Sequence, residues 1–433
     1  MIEKTRKIKE VSFLSKEFEY IDYSNPNYIY VPVTNSRCSS ASVFVKVGDH
    51  VNMGQIIGVR KASFFEQNMF STVSGTVIGF EKKFHKSGRL VECIKIENDM
   101  KDTLDPRCIE RSEEEIYSLT KDEFVNILKE NALIGLGGSS FPTYVKFETN
   151  ETIDTIIVNG IECEPYLNSD HLLILNDAKK MIEGIKYSLY AIGAKRAIIA
   201  IKKKYEDLYK KLIETIDDDR ITVKRVGNYY PQGWEVEMIK SCTGIEMKPG
   251  TLPSKYGILN FNVSTSLGIY EAIKHNLPVI YRNVSINGNG INKPTNLKVR
   301  VFASIKDLIE VSGGYSEGEE KVFIIGGPMM GGNLLRDDAI CTSTVTEIIV
   351  LNKMEFKENP CIRCGSCVYS CPVGLSPVLI MNAYLVKDKV ALSELGVKRC
   401  IECGLCSYSC TSKIHLTEFM RKAKKMVQWY ETC

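Results

Sequence analysis

Eight cysteines near the C-terminus fall into two runs of one spacing, Cys361-Ile-Arg-Cys364-Gly-Ser-Cys367-Val-Tyr-Ser-Cys371 and Cys400-Ile-Glu-Cys403-Gly-Leu-Cys406-Ser-Tyr-Ser-Cys410. Each reads C-x2-C-x2-C-x3-C, the pattern that holds cubane iron–sulfur clusters. Three thiolates within seven residues bind three irons of one cube, and the fourth is carried on to the other cube. Cys361, Cys364, Cys367 and Cys410 are therefore expected to ligate one [4Fe–4S] cluster, and Cys400, Cys403, Cys406 and Cys371 the second. The runs agree at eight of eleven positions, which makes them an internal repeat. Structural zinc would call for two pairs of ligands. A disulfide framework would call for a small secreted domain. Neither fits runs of four in a 433-residue chain that starts Met1-Ile-Glu-Lys-Thr-Arg-Lys. The other cysteines, Cys38, Cys93, Cys108, Cys163, Cys242, Cys341 and Cys433, are scattered and read as free thiols of a reducing compartment. His415 lies just beyond the second run, but eight cysteines already fill two cubes.

A second chemical feature lies upstream. Thr120 and Glu123 form a capping box for a helix whose apolar side is Phe124, Val125, Ile127 and Leu128. That helix runs into Gly135-Leu-Gly137-Gly138-Ser-Ser-Phe-Pro-Thr-Tyr-Val-Lys146. Glycines let backbone N–H groups approach a phosphate, and Lys146 adds a cation one turn later; a tight turn explains the glycines equally well. The run is not the dinucleotide fingerprint, since G-x-G-G replaces G-x-G-x-x-G. A β-α-β-α-β pattern follows, with strands at Thr155-Ile-Ile-Val158, Ala197-Ile-Ile-Ala-Ile201 and Ile221-Thr-Val-Lys-Arg-Val226 and helices over 171–192 and 203–216. Such alternation predicts a parallel sheet covered by helices. The first strand ends in Asn159-Gly-Ile-Glu162-Cys-Glu164-Pro, where ligands of such sheets bind; a solvated acidic turn is the alternative. Cys163 reads as a strand-end cysteine, not a redox thiol, because nothing nearby lowers its pKa.

The first hundred residues read as an all-β module. Strand-like runs Tyr28–Val33, Ser42–Val47, Gln55–Val59 and Ser71–Val77 alternate with glycine turns. His50 and His85 read as surface turn residues. Residues 376–396 read as one helix between the cysteine runs. Residues 416–429 read as a basic helix whose Arg421, Lys422, Lys424 and Lys425 form a solvated face. At 44% hydrophobic and 25% charged the chain is globular, and a net charge of +3 points to no nucleic-acid partner. With no run of eighteen apolar residues and no signal-peptide core, it is expected to be cytoplasmic, or peripheral at the inner face of the cell membrane through partners.

These motifs resemble known families. Val47-Gly48-Asp49-His50-Val51-Asn52-Met53-Gly54-Gln55 is similar to the biotinyl/lipoyl barrel-sandwich signature. Where carriers bear their cofactor lysine, this chain has Met69-Phe70-Ser71-Thr72, which implies docking or structure and not a swinging arm. The glycine run with Lys146, Asn159-x-x-Glu162-x-Glu164-Pro, and Asn262-Val-Ser-Thr265 resemble the flavin-site motifs of the NADH-binding subunit of respiratory complex I. The order of modules, with Tyr230-Pro-Gln-Gly-Trp-Glu235, Gly250-Thr-Leu-Pro253 and Gly326-Gly-Pro-Met-Met-Gly331, resembles the C subunit of the Rnf electron-transport complex and the soluble proline-reductase-associated (PrdC-like) electron-transfer proteins.

The resemblance implies a multidomain α/β architecture. It comprises a barrel-sandwich β domain (1–110), a Rossmann-like FMN/NADH domain (111–270), a β-grasp-like SLBB domain (271–350) and an α-helical ferredoxin-like two-cluster domain (351–433). It implies that Gly135, Gly137, Gly138 and Lys146 cradle FMN and its phosphate, that Asn159, Asn262 and Thr265 contact it, and that Glu162 and Glu164 are the acidic pair near the flavin and the nicotinamide nucleotide. Gly326-Gly327-Pro328 is a turn with no chemistry assigned. Tyr30-Val31-Pro32 in place of a His-Pro-Pro segment, and Trp234 in place of a small residue, tilt the expectation toward the soluble branch, with the peripheral Rnf subunit as the alternative. Thr411 replaces the usual proline after Cys410. The expected activity is an NADH-dependent oxidoreductase with FMN, NAD(H) and two [4Fe–4S] clusters as cofactors. It joins two-electron hydride transfer to one-electron transfer, with a reductase, ferredoxin or Rnf subunit as protein partner. A flavin-free relay and a docking scaffold are the competing classes.

Overall fold

Alternating apolar residues build two small sheets that close on each other in the computed structural model, which describes residue 8 and residues 21–63, 65–248, 250–318, 320–355 and 357–431. The charged start at residues 1–7 and Cys433 lie outside them. One sheet is ordered Tyr28–Pro32, Leu90–Asn98, Gly75–Phe84, His50–Val51, and the other Ser40–Val43, Ile56–Lys61, Glu66–Phe70. Their inward faces bury Ile29, Val31, Ile57, Met69, Val77, Ile94 and Ile96 completely. The strand expected over 71–77 begins only at Gly75. Residues before it form a buried turn, where Ser71 Oγ donates to the Val73 carbonyl (2.6 Å) and Thr72 Oγ1 to the Val301 carbonyl (2.7 Å). Arg300, fully buried, donates to the Thr72 carbonyl from a module more than two hundred residues downstream (2.9 Å). A tip clamped in this way cannot swing. His50 is exposed, but His85 is not a surface residue: it is 3% exposed, with Nδ1 bonded to Ser87 Oγ at 3.0 Å.

Short apolar runs flanked by helices give a four-stranded parallel sheet ordered Ile221–Val226, Arg196–Lys202, Thr155–Asn159, Ile258–Asn262. The helices over 171–192 and 203–216 are Ser169–Ile192 and Glu206–Thr215, and Thr120 with Glu123 caps Lys121–Glu130. Helix Val263–His275 runs past the expected boundary at residue 270, because Ala272 and Ile273 stay in the core of this sheet. From Thr155–Asn159 the chain moves to Arg196–Lys202 on one side and later returns with Ile258–Asn262 on the other. Such a reversal is where a ligand crevice opens at the carboxyl ends of the strands. Asn159 and Asn262 are register partners at that end.

The third module is a six-stranded mixed sheet ordered Ile21–Tyr23, Thr295–Arg300, Tyr281–Asn287, Glu347–Asn352, Lys321–Ile325, Gly332–Leu334. Its edge strand comes from the stretch assigned to the barrel-sandwich, pairing parallel with Thr295–Arg300. The two modules are further joined by Arg300 to Asp102 (2.6 Å). At the C-terminal end the cysteine runs sit on short helices Ser366–Tyr369 and Leu405–Tyr408. The single helix expected over 376–396 is two, Pro377–Leu385 and Lys389–Glu394. Lys387 turns left-handed between them (φ +58°), and Asp388 caps the second by accepting from the Ala391 N–H (3.0 Å). Helix Leu416–Glu431 closes the module. Among the described residues no helix is long and apolar enough to cross a membrane.

Candidate functional site

The glycine loop lies against the switch point. Gly138 has φ +101° with open space before it, a conformation side chains resist. Gly137 is so close to Asn262 that a Cβ would stand 2.8 Å from that side chain. The Leu136 N–H donates to Thr265 Oγ1 (3.0 Å), one turn into the helix that Asn262 caps. Asn262 Nδ2 also donates to the Asn159 carbonyl (3.1 Å) and the Asp170 carboxylate (2.6 Å). Asn159 Nδ2 donates to the Gly233 carbonyl (3.0 Å). Lys146 Nζ donates to the carbonyl of Asn260, on the same strand as Asn262 (2.7 Å), and burial lowers its pKa. Gly135, Gly137, Gly138, Lys146, Asn159, Asn262 and Thr265 are thus brought to one end of one sheet.

The two glutamates sit there as well. Glu162 is 4% exposed and accepts from the Asp170 N–H (2.7 Å). Burial and the neighbouring Asp170 carboxyl raise its pKa well above the usual carboxylate range. Glu164 accepts from the Met329 N–H (2.9 Å) and lies 3.3 Å from the Tyr230 hydroxyl; burial pushes its pKa up to about 7. Sequence reasoning missed three neighbours supplied by the six-stranded sheet module. Fully buried Glu347 has a carboxyl raised by burial and by Glu164 and Glu162. Buried Arg282 donates to the Leu136 carbonyl (3.2 Å). The third is Met329. The one signal for them was Gly326-Gly327-Pro328, where Gly327 lies so close to the Glu164 carboxyl that no Cβ fits.

Six buried polar atoms on these elements have no hydrogen-bond partner among the described residues: Glu162 Oε2, Thr143 Oγ1, Ser169 Oγ, Gln232 Oε1, Arg282 Nε and Glu347 Oε2. Buried polar atoms are seldom left so. Together with the open glycine cradle they suit a polar, phosphate-bearing ligand such as a flavin.

The cysteines separate into two groups that cross between the runs. Cys361, Cys364, Cys367 and Cys410 line one opening, and Cys371, Cys400, Cys403 and Cys406 line another. Backbone N–H groups donate to sulfur in matching places: Arg363 to Cys361 and Glu402 to Cys400 (3.4 Å each), Leu375 to Cys371 (3.3 Å) and Ile414 to Cys410 (3.4 Å). The left-handed residues repeat too, Arg363 with Glu402, Gly365 with Gly404, and Gly374 with Lys413. Equivalent serines, Ser370 and Ser409, meet at 2.9 Å between the halves. Among the described residues no three His, Cys, Asp or Glu side chains converge on a point that could hold a single ion. A cube of four irons instead takes one thiolate at each iron, and each group offers four cysteines at one opening, two of them accepting backbone N–H groups. Thr411, in the position of the missing proline, places its hydroxyl 3.6 Å from Cys364 Sγ.

The second group faces the strand-end site. The Tyr230 hydroxyl, 3.3 Å from Glu164, donates to the Cys403 carbonyl (2.8 Å), and Tyr230 is 2% exposed. The Met329 carbonyl packs so tightly on Gly404 that a Cβ there would stand 2.7 Å away. Cys163 lies beside Tyr230 and Cys403; burial pushes its thiol up to about 11, so it is not a thiolate. Lys424 donates to the Cys400 carbonyl (2.9 Å), and both Lys424 and Arg421 pair with Glu402 (3.1 and 3.3 Å). Half of the basic face expected to be merely solvated therefore holds the second cysteine loop. By contrast Cys361 and Cys364 are exposed.

Family models match four stretches: the RnfC barrel sandwich hybrid domain at 5–101, the Nuo51 FMN-binding domain at 128–271, the SLBB domain at 283–332 and the 4Fe-4S dicluster domain at 353–411. The chain is 32% identical over 361 residues to the C subunit of the Na(+)-translocating ferredoxin:NAD(+) oxidoreductase complex of Acetobacterium woodii, covering 82% of this chain and 81% of that one. It is 31% identical to the C subunit of the proton-translocating ferredoxin:NAD(+) oxidoreductase complex of Clostridium ljungdahlii (82% and 78% covered). It is also 31% identical to the C subunit of the ion-translocating oxidoreductase complex of Rhodobacter capsulatus (84% and 71%). Among solved structures, a chain of an NAD+-reducing [NiFe]-hydrogenase shares the fold at 15% identity and a TM-score of 0.50, over 72% of this chain and 63% of that chain. The chain thus carries an FMN-binding domain and a 4Fe-4S dicluster domain.

Proposed function

Because the chain belongs to the family of Rnf complex C subunits, we propose that it exchanges electrons between NADH and a protein partner, using FMN at the switch point and two [4Fe–4S] clusters in the C-terminal module. Gly135, Gly137, Gly138 and Lys146 would hold the FMN phosphate, with Asn159, Asn262 and Thr265 orienting the rest. FMN, when bound, supplies the conversion between hydride and single electrons. Glu162 and Glu164 shape the nicotinamide end, where buried carboxyls with raised pKa values hold protons near neutrality. Cys371, Cys400, Cys403 and Cys406 would hold the inner cluster, and Cys361, Cys364, Cys367 and Cys410 the outer one. Exposure of Cys361 and Cys364 makes the outer group the exit toward the partner.

The observation that carries this reading is Tyr230, which joins Glu164 at the strand end to the Cys403 loop. The relatives favour assembly as a peripheral C subunit of a membrane complex. The soluble branch, feeding a reductase such as proline reductase, rests on Trp234 and the Tyr30-Val31-Pro32 segment alone. Anaerobic purification with flavin, iron and sulfide quantified, then NADH added under the spectrometer, tests the proposal. One FMN, about eight irons for two cubes and bleaching by NADH are expected. Eight irons without flavin and without a response to NADH would reduce the protein to a relay.

A further inference from the structure

A cavity opens at the tip of the glycine loop, between that loop, the barrel-sandwich and the turn at residues 342–344. Arg37, Arg60, His85, Lys86, Ser140 and Thr344 are among its walls. Among the described residues no aspartate or glutamate lines it, and no ion pair involves Arg37, Arg60, His85 or Lys86. Their partners are neutral oxygens. Arg60, 5% exposed, donates Nε and Nη2 to the Pro32 carbonyl (3.0 and 2.5 Å). Arg37 Nη2 donates to the Ser139 carbonyl (2.8 Å), and Lys86 Nζ to Ser140 Oγ (3.1 Å). The buried hydroxyls of Thr342 and Thr344 lie 3.3 Å apart on the facing turn.

Like charges gathered without a counter-charge are costly, since burial of an unpaired ion costs several kcal/mol. Burial, with Arg282 and Arg37 adding, pushes the Lys86 amine down to about 8, and burial with Lys86 and the nearby arginines pushes His85 down to about 4. An oxyanion reverses that cost. Guanidinium forks and an ammonium match phosphate oxygens, and such charge-assisted bonds are the strong ones. The cavity measures ≈ 60 Å³, ample for a small tetrahedral ion when about 10–15 Å³ holds a water.

We propose that this cavity binds a phosphate-class oxyanion, free or as the terminus of a nucleotide, through Arg37, Arg60 and Lys86. It uses none of the residues assigned to FMN or the clusters, so it stands or falls apart from the electron-transfer reading. The test is calorimetric titration of inorganic phosphate into anaerobically purified holoprotein at constant ionic strength, with chloride as the control. Saturable binding is expected, weakened at least about tenfold in Lys86→Met, the loss of one charge-assisted contact. Arg37 is exposed, so Arg37→Gln gives the same loss without threatening the fold. ADP that competes with phosphate in a Lys86-dependent way identifies a nucleotide phosphate; ADP that does not compete identifies the free oxyanion. No saturable binding to the wild type, or undiminished affinity in both variants, overturns the proposal.

Discussion

Replacing Glu164 by glutamine removes a charge and keeps the shape. Burial raises the Glu164 pKa from 4.5 to about 7. A carboxyl whose folded pKa stands above its unfolded one binds its proton more tightly when folded. Its contribution to stability is therefore full below about pH 4.5 and is lost as pH rises through about 7. The difference corresponds to about 3 kcal/mol, reduced to about 2 kcal/mol by the residue's partial exposure. An amide carries no charge to desolvate, and its oxygen still accepts from the Met329 N–H, now 2.9 Å away. Glu164→Gln should match the wild type near pH 4 and exceed it by about 2 kcal/mol above pH 7, a rise of about 4–8 °C in melting midpoint for the domain that carries it. Thermal unfolding of the anaerobic holoprotein at the two pH values reads this directly. The same substitution should slow bleaching by NADH if, as proposed, the residue sits at the nicotinamide end. Equal midpoints for the two proteins on the alkaline side, or a lower one for the variant, would show that burial does not penalise the Glu164 carboxylate.

Two further outcomes follow from packing. Gly137→Ala forces a Cβ to 2.8 Å from Asn262, so the variant should lose flavin on gel filtration and about 1–3 kcal/mol of stability; full flavin occupancy would contradict the cradle. Arg300→Met leaves Asp102 and the Thr72 carbonyl without their buried partner and should cost about 1–3 kcal/mol, read as a lower denaturation midpoint in the barrel-sandwich and six-stranded sheet; an unchanged midpoint would show that Arg300 does not couple them.

Local patterns carried much of this architecture. The cysteine spacing placed Cys371 with the second run and Cys410 with the first, and the structure groups them so, because a repeat with a turn between its halves brings each fourth cysteine to the other side. The Thr120 capping box and the parallel strands were likewise legible, being matters of a few adjacent residues. What escaped is non-local. Arg282, Met329 and Glu347 reach Glu162 and Glu164 from more than a hundred residues downstream of them, and only the Gly326-Gly327-Pro328 turn beside Met329 left a trace in the sequence. Strand Ile21–Tyr23 crosses into a sheet it does not adjoin in sequence. His85 gave no hint of burial, since three modules close over it. The break at Lys387 did leave a trace, as Asp388 is a good cap for the second helix, but the apolar run around it reads as continuous.

The proposed electron path runs from the strand-end site through the inner cysteine group to the exposed outer one. Cys403→Ser removes an inner ligand while leaving every outer ligand in place, and freeze-quench electron paramagnetic resonance after NADH addition follows the clusters. NADH should still bleach flavin and dithionite should still reduce the outer cluster, but NADH should no longer reduce it at the wild-type rate. Reduction of the outer cluster by NADH at an unchanged rate in Cys403→Ser would contradict that path.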